Sequence, residues 1–266
     1  MSAGQVIIVT GASSGIGAAT AKLFAKESYR VALAARRLER LQVLEQEIRR
    51  AGGEALSVKT DVTRLEDIEN LVEQTLSAWG QIDILFNNAG FGRLKWLEDL
   101  DPLQDIEAQV SVNLLGVMLS TRAVLPHMIE RQRGHIINMV SVAGLVAMPT
   151  YSVYAATKFG VRGFTEALRR EVRGSGVLVS GIYPAGVTTE FETHTGADRR
   201  TRITTPAWLL LSSDQVAEEV LRVVRKPRRR VVIPRLLGLG AWLLDIHFPS
   251  LSDWFTERFF TRPERE

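Results

Sequence analysis

Seven apolar runs of strand length, separated by segments long enough for helices, constrain the fold of this chain more than any other feature. A strand that is apolar along nearly its whole length is buried on both faces, and alternation with helices makes neighbouring strands parallel. We therefore expect an α/β fold, a doubly wound Rossmann-type parallel sheet of about seven strands with helices on both faces. The runs are Val6 to Thr10, Arg30 to Ala35, Ala55 to Lys59, Ile82 to Phe86, His135 to Val140, Val177 to Ile182 and Val231 to Ile233.

Two of the intervening helices have recognisable ends. The apolar residues from Leu38 to Ile48 follow a 3.6-residue period that stops before Gly52. A second helix is expected within Asp61 to Trp79, with Thr63 as its N-cap and Gly80 as the residue that ends it.

The composition is that of one large globular domain. The chain has 266 residues, 45% hydrophobic and 24% charged, which is unlike disordered, collagen-like or coiled-coil proteins. The absence of cysteine excludes a disulfide scaffold, a zinc knuckle and a thiol nucleophile, and the four histidines are too dispersed to predict a metal site. Without a linker or repeat, we predict a main domain over residues 1–235 and an apolar extension of that domain over 236–266.

Positive charge is concentrated in one segment near the C-terminus. Seven basic residues and no acid lie between Arg222 and Arg235, whereas the whole chain carries a net charge of only +3. No base-stacking module accompanies them, so we expect no nucleic-acid partner. The run Val6 to Val9 is too short for a signal peptide, and Leu236 to Leu244 has about half of the roughly 20 residues that span a bilayer. We expect a cytoplasmic protein without a transmembrane segment.

A glycine-rich turn follows the first strand directly and leads into a helix. Glycines allow a close approach of the backbone, so that the helix N-terminus can present N–H groups to a pyrophosphate. A simple tight turn is the alternative, but the order of strand, turn and helix favours a dinucleotide site. The expected binding residues are Gly11, Ser13, Ser14, Gly15, Ile16 and Gly17.

The second strand is followed by Arg36 and Arg37, where a protein that binds a free ribose 2′-hydroxyl has an acidic residue. A guanidinium pairs with a 2′-phosphate that a carboxylate would repel, so the two arginines favour NADP(H) over NAD(H). The alternative is that they only begin the charged face of the next helix, as Arg40 does.

Tyr154 and Lys158 are four residues apart in a segment, Tyr151 to Arg173, whose pattern predicts a helix, so their side chains share a face. An ammonium beside a phenol favours the phenolate and lowers a pKa of about 10 toward working pH, as a general acid/base needs. Ser141 follows the apolar strand that ends at Val140, at the edge where open α/β sheets bind ligands.

In this combination the chain resembles the short-chain dehydrogenase/reductase family, in its single-domain, NADP-preferring branch, from Val6 to about Ile233. The motifs occur in the family's order and at plausible spacings. They are Thr10-Gly11-x-x-x-Gly15-x-Gly17, Asp61-Val62, Asn87-Asn88-Ala89-Gly90, Asn113, Ser141, Tyr154-x-x-x-Lys158 and Pro184 to Thr189.

The resemblance implies a catalytic role for four residues. Tyr154 is the acid/base, Ser141 orients the substrate oxygen, and Lys158 holds the nicotinamide ribose while lowering the pKa of the tyrosine. Asn113 completes a proton relay through water, and no metal is required. The implied cofactor contacts are Asp61 and Val62 at the adenine, Asn88, Ala89 and Gly90 beneath strand four, and Pro184, Val187 and Thr189 near the nicotinamide. Ala185 replaces a glycine that is usual in the family, and we expect cofactor binding to survive.

Three apolar segments are candidate walls of a substrate site: Phe91 to Trp96, Val142 to Tyr151 and Phe191 to Leu211. Their composition favours a secondary alcohol or ketone that is bulky or lipid-like. The alternative is that the same residues pack a lid or a subunit interface.

The segment from Leu236 to Phe260 is rich in aromatic residues that something must cover. It could close over the substrate site, form a contact in a homodimer or homotetramer, or anchor the protein peripherally at a membrane with the help of the basic segment. A cofactor-binding scaffold that works through this tail is the alternative to an enzyme, and the intact Ser141, Tyr154 and Lys158 argue against it.

Overall fold

A computed structural model describes residues 4–188 and 210–259, and it confirms the predicted fold class. Seven parallel strands form one sheet in the order β3-β2-β1-β4-β5-β6-β7. The strands are β1 (Val6–Thr10), β2 (Arg30–Ala35), β3 (Glu54–Lys59), β4 (Ile84–Asn87), β5 (Gly134–Met139), β6 (Val177–Pro184) and β7 (Arg230–Ile233).

Helices cover both faces of the sheet. They are α1 (Gly15–Lys26), α2 (Leu38–Arg50), α3 (Leu65–Trp79), α4 (Pro102–Glu130), α5 (Ser152–Glu171), α6 (Ser213–Arg225), α7 (Arg235–His247) and α8 (Pro249–Phe259). Alternate residues of a strand point to opposite faces, and β1 shows the result. Ile7 packs in a core with residues of α1, α2 and α6, whereas Ile8 packs in a second core with residues of α3, α4 and α5.

Several predicted boundaries differ from the observed ones, among them the end of the sixth strand, which is Pro184 and not Ile182. Thr63 is not the N-cap of α3, because its backbone N–H and its hydroxyl both donate to Asp61 Oδ1, over 3.0 and 2.8 Å, and the helix begins at Leu65. The fourth strand begins at Ile84 and not at Ile82. Gly80 ends α3 as predicted, with φ of +70° in the left-handed region that favours glycine.

The order of the strands reverses between β1 and β4, and this switch point opens a crevice at their carboxyl ends. Thr10 Oγ1 accepts hydrogen bonds from the backbone N–H groups of Asn88 (2.9 Å) and Ala89 (3.1 Å), which joins the ends of the two strands. The glycine turn after β1 and the segment after β4 therefore lie side by side.

The long helix α4 contains two π-helical stretches, Pro102–Glu107 and Ser111–Leu115. Within the described residues it is the one helix whose length and composition would allow it to span a membrane. Its inner side packs on the sheet, where Val117, Val124 and Met128 are buried.

Helices α7 and α8 form the tail. Ser252 Oγ donates a hydrogen bond to Asp245 Oδ1 over 3.0 Å and joins the two helices, and Trp242 packs on the main domain. Leu239 packs beside Trp242, whereas other apolar side chains of the tail are exposed. Those that are exposed are Leu236, Leu243, Ile246, Phe248, Leu251, Trp254 and Phe255. The division of the domain at residue 235 stays a prediction.

Candidate active site

The glycine turn forms a cradle that side chains could not fit. A Cβ on Gly17 would collide with the carbonyl oxygen of Gly11, and one on Gly11 would lie 2.8 Å from Ala89 Cα. Gly11 and Gly15 have positive φ, of +68° and +53°. Ser14 precedes α1 with extended backbone and without a side-chain cap, so the first N–H groups of the helix face the turn. This geometry fits the pyrophosphate of a dinucleotide.

One of the two arginines after β2 lies against this turn. The Arg37 guanidinium donates to Ser13 Oγ over 2.9 Å and to Ser14 Oγ over 3.0 Å, whereas Arg36 is exposed. The structure thus brings Ser13, Ser14 and Arg37 together at the glycine turn.

The residues assigned to the adenine lie beyond β3. Asp61 is held by Thr63, and its backbone N–H donates to Asp67 Oδ2 over 2.8 Å. Val62 is buried against Gly116, where a Cβ would lie 2.8 Å from Val62 Cγ2. Asp61 and Val62 are therefore fixed by their own neighbours.

Tyr154 and Lys158 share one face of α5 and are both buried. Lys158 Nζ lies 5.6 Å from the centre of the Tyr154 ring and donates a hydrogen bond to the carbonyl oxygen of Met139 over 3.0 Å. A Cβ on Gly90 would lie 3.7 Å from Lys158 Nζ and 3.1 Å from Asn113 Oδ1. Gly90 therefore lets the segment after β4 approach both polar groups.

Asn113 is buried in the second π-helical stretch of α4. Its side-chain amide binds the backbone of Phe91, with Oδ1 accepting from the N–H over 2.9 Å and Nδ2 donating to the carbonyl over 2.7 Å. Nδ2 also lies 3.3 Å from Thr157 Oγ1. Because both ends of the amide are engaged, Asn113 fixes the start of the loop after β4 relative to α5.

Ser141 has the unusual backbone angles φ +122° and ψ 155°. A positive φ on a residue other than glycine is strained and is often found at functional sites. Its Oγ accepts from the N–H of Ala143 over 3.2 Å, approaches the Pro184 carbonyl at 3.5 Å and forms a hydrogen bond with the Tyr154 phenol. The structure therefore brings Ser141, Tyr154 and Pro184 together.

Burial is the largest influence on the pKa values of Tyr154 and Lys158. It raises the pKa of Tyr154 above the usual 10.0, with a smaller contribution from Tyr151, although the hydrogen bond with Ser141 acts in the opposite direction. The expected net lowering of the tyrosine pKa is therefore wrong for this structure. Burial also lowers the pKa of Lys158 from 10.5 to about 8. At neutral pH the phenol and the ammonium are both protonated.

Two buried polar residues of α4, Asp105 and Gln109, were not predicted from the sequence. Asp105, Gln109 and Asn113 are spaced by four residues on one face of the helix, and all three bind the loop after β4. Gln109 Oε1 accepts from the Arg93 N–H over 3.0 Å, and Asp105 Oδ1 accepts from Arg93 Nε over 3.0 Å. Burial alone would raise the pKa of Asp105, but the Asp101 backbone N–H and the nearby cations hold it below its usual value. The regular spacing from Asn113 was the available signal.

The segment after β6 is described only in part. Ala185 donates its N–H to the Ile233 carbonyl over 2.8 Å, and Val187 pairs with Leu211 in an isolated bridge. Thr189 and most of the third candidate substrate wall lie outside the described residues.

Comparison with known proteins decides the family. The family model of short chain dehydrogenases matches residues 5–200. The chain belongs to the short-chain dehydrogenase/reductase family. An uncharacterized oxidoreductase from Listeria innocua is 45% identical to this family member over 188 residues, which are 70% of this chain and 75% of the relative.

Two solved structures of the same family are similar over nearly the whole chain. A short-chain dehydrogenase/reductase from Burkholderia phymatum in complex with NAD has a TM-score of 0.84 and 26% identity, and the match covers 100% of this chain and 98% of that one. A short-chain dehydrogenase from Sphingobium yanoikuyae in complex with NADPH has a TM-score of 0.80 and 28% identity, over 94% and 95%. This short-chain dehydrogenase/reductase is therefore an oxidoreductase of a family that uses a nicotinamide cofactor and acts on small molecules.

Proposed function

We propose that this short-chain dehydrogenase/reductase interconverts a secondary alcohol and a ketone with NADP(H). The observation that carries the proposal is the buried group of Tyr154, Lys158 and Ser141 at the carboxyl edge of the sheet, beside the glycine cradle. A reduced nicotinamide held by the glycine cradle would supply the hydride for the carbonyl carbon. Tyr154 donates its phenolic proton to the carbonyl oxygen, and Ser141 holds that oxygen by a hydrogen bond.

The protonation of the site suits reduction. A general acid must carry its proton at working pH, and burial keeps the Tyr154 phenol protonated by raising its pKa. Lys158, with a pKa of about 8, is mainly an ammonium at pH 7 and stabilises the phenolate that remains after proton transfer. The phenolate then regains a proton from water, which restores the acid for the next turnover.

The preference for NADP(H) rests on Arg36 and Arg37. One of the two similar structures contains NAD and the other NADPH, so they do not favour either cofactor. The two arginines of this chain are what favours NADP(H). Paired fluorescence titrations with NADPH and NADH test it, and we expect NADPH to bind more tightly. Arg37→Ala should reduce this difference, whereas Arg40→Ala, which removes the same charge one helical turn further on, should not. Equal affinity of the wild-type protein for both cofactors would contradict the preference.

The apolar wall after Ser141 supports a bulky or lipid-like substrate. Leu145 and Val146 are buried, and Val142 and Met148 pack against the same cluster. A wall of this composition favours a substrate with apolar surface over a charged or sugar-like one. Turnover of a panel of ketones of increasing apolar area tests this part of the proposal, and we expect kcat/KM to rise with that area.

The exposed side of the tail supports an oligomer more than a membrane anchor. Four arginines of the basic segment form ion pairs within the molecule, Arg222 with Glu218 and Glu219, Arg225 with Glu27, and Arg229 and Arg230 with Glu166. Charges that are paired internally attract anionic lipid weakly. We propose a homodimer or homotetramer in which the tail is a contact, in a cytoplasmic protein. Salt-sensitive sedimentation with anionic vesicles would contradict this and support peripheral membrane binding.

A further inference from the structure

The ring of Trp242, in the tail, contacts two guanidinium groups of the main domain. The Cζ of Arg162, in α5, is 5.2 Å from the centre of its ring, and the Cζ of Arg230, in β7, is 4.8 Å away. Glu166 forms an ion pair with Arg230 over 3.3 Å, and its negative charge partly balances the two guanidinium charges. An aromatic face attracts a cation, so the indole holds together two like charges that would otherwise repel.

Arg162 reaches from this group to the turn after Ser141. Its guanidinium donates a hydrogen bond to the carbonyl oxygen of Gly144 over 3.2 Å. The turn is packed tightly on α5, since a Cβ on Gly144 would lie 2.7 Å from Val140 Cγ1 and 2.8 Å from the carbonyl oxygen of Lys158. A displacement of Arg162 would therefore loosen a turn that begins at the residue proposed to hold the substrate oxygen.

Helix α7 also touches this segment directly. A Cβ on Gly238 would collide with Val232 and would lie 3.5 Å from Val142 Cγ2. Leu239 and Trp242 pack in the same apolar cluster as Val142 and Met148, which line the proposed substrate wall. The tail therefore contacts the main domain next to the active-site turn.

We propose that Trp242 is a positioning residue of the active site. By holding Arg162 against the Gly144 carbonyl, it fixes the turn that begins at Ser141, and with it the hydroxyl that orients the substrate oxygen. The inference rests on the proposed function for its catalytic consequence, but the contact between tail and turn is independent of that function. In this proposal the inner side of the tail fixes the active-site turn, and its exposed side is the proposed contact between subunits.

The chain offers a matched control for the test. Trp254 is the same residue type in the same tail, but it is 55% exposed and its ring contacts Phe255 of its own helix. In Trp242→Ala we expect KM for the ketone to rise and kcat to fall, so that kcat/KM decreases by about tenfold, because a small displacement of an orienting group is costly. The Kd for NADPH should not change, since the glycine cradle is separate. Trp254→Ala should leave kcat/KM and the Kd for NADPH at their wild-type values.

Hydrogen exchange gives a second measurement that needs no cofactor or substrate. The N–H groups of Gly144, Leu145 and Val146 donate to carbonyls of Ser141 and Val142 over 2.8 to 3.0 Å. We expect the peptide covering residues 141–148 to exchange faster in Trp242→Ala and to be unchanged in Trp254→Ala. Trp242→Phe, which keeps an aromatic face, should restore most of the protection and of kcat/KM.

The outcomes separate the two proposals. Unchanged exchange and unchanged kcat/KM in Trp242→Ala, with turnover that still depends on Tyr154, would overturn the positioning role alone. Faster exchange without any turnover that depends on Tyr154 would support the contact between tail and turn and overturn the proposed function. Should Trp242→Ala fail to fold, Arg162→Lys keeps the charge but loses the planar group that bonds Gly144, and it should shift exchange and kcat/KM in the same direction.

Discussion

At the scale of single residues, burial sets the charge states on which the proposed chemistry depends. Lys158 is only 4% exposed, and its ammonium has one carbonyl, that of Met139, as a hydrogen-bond acceptor over 3.0 Å. Burying a charge in this way costs stability, which is why the pKa of the lysine is lowered to about 8. Activity and stability therefore conflict at this position.

We predict that Lys158→Met abolishes turnover and stabilises the fold at neutral pH. The pKa of this lysine is near 10.5 in the unfolded state and about 8 in the folded state. Below pH 8 the folded state therefore contains a buried charge that lowers its stability. The variant should raise the free energy of unfolding at pH 7 by on the order of 2 kcal/mol, and its advantage should shrink as the pH rises from 8 to 10.5. Urea unfolding at pH 7 and pH 10 measures this, with Lys59→Met, at an exposed lysine, as the control. A variant that is less stable than wild type at pH 7 would contradict the argument.

His135 provides a second test of burial, outside the active site. Burial lowers its pKa from 6.5 to about 4, and its Nε2 lies 2.8 Å from Ser180 Oγ. Between these two pKa values only the unfolded histidine binds a proton. The free energy of unfolding should therefore decrease by about 3 kcal/mol as the pH falls from 6.5 to 4. His135→Gln should flatten this part of the urea midpoint profile, whereas His247→Gln, at an exposed position, should not. A profile that is equally steep in both variants would rule out His135 as its source.

At the scale of elements, α4 carries a row of polar side chains that fixes the loop after β4. Gln109 is fully buried and uses both ends of its amide, accepting from the Arg93 N–H over 3.0 Å and donating to the Asp105 carbonyl over 2.9 Å. Asn113, one turn further along, binds the same loop at Phe91. The row therefore connects the rigid helix to one wall of the substrate site.

We predict that Gln109→Leu destabilises the protein and raises KM for the ketone. The substitution leaves a backbone N–H without its partner, which costs about 1–3 kcal/mol and should lower Tm by roughly 2–10 °C in a protein of this size. Thermal unfolding and initial rates measure the two effects. Gln104→Leu, at an exposed position of the same helix, should leave Tm and KM unchanged. A normal Tm in Gln109→Leu would show that the amide does not hold the loop.

At the scale of the whole molecule, the tail concentrates exposed apolar surface. Among the described residues, seven of the sixteen large hydrophobic side chains that are exposed lie in the tail, six of them in α7 and α8 and one, Phe248, between the two helices. A patch of this kind on a folded protein usually marks a contact surface. Its inner side holds Trp242 against the main domain, and we propose the exposed side as the surface for association.

We predict that replacing Trp254 and Phe255 together by serine lowers the mass of the protein in light scattering. The two rings contact each other and are 55% and 43% exposed, so the change removes apolar surface without touching Trp242. Serine at Val43 and Leu65, which are exposed on α2 and α3, is the control and should leave the mass unchanged. An unchanged mass in the tail variant would exclude these two rings as an oligomer contact.

Most of this architecture could be predicted from the sequence, because the hydrophobic patterns of short segments determine which of them are strands and which are helices. The bounds of β1 and β2 are correct since each is a continuous apolar run with polar or glycine residues at its end. The pair of Tyr154 and Lys158 and the glycine turn were recognisable because each is defined by a fixed spacing of residues along the chain. The pKa of Tyr154, the contact of Arg37 with the serines and the position of Trp242 depend on burial and on distant segments, and no local pattern contains them.

We propose that Tyr154 supplies the proton in an NADPH-dependent ketone reduction. The most direct test is the initial rate of NADPH oxidation with an apolar ketone, at saturating cofactor, in wild type and in Tyr154→Phe. We predict turnover in the wild-type protein and a decrease of at least about 100-fold in the variant, with NADPH affinity retained, because the ring remains and only the acid is lost. Equal rates in the two proteins would contradict the claim.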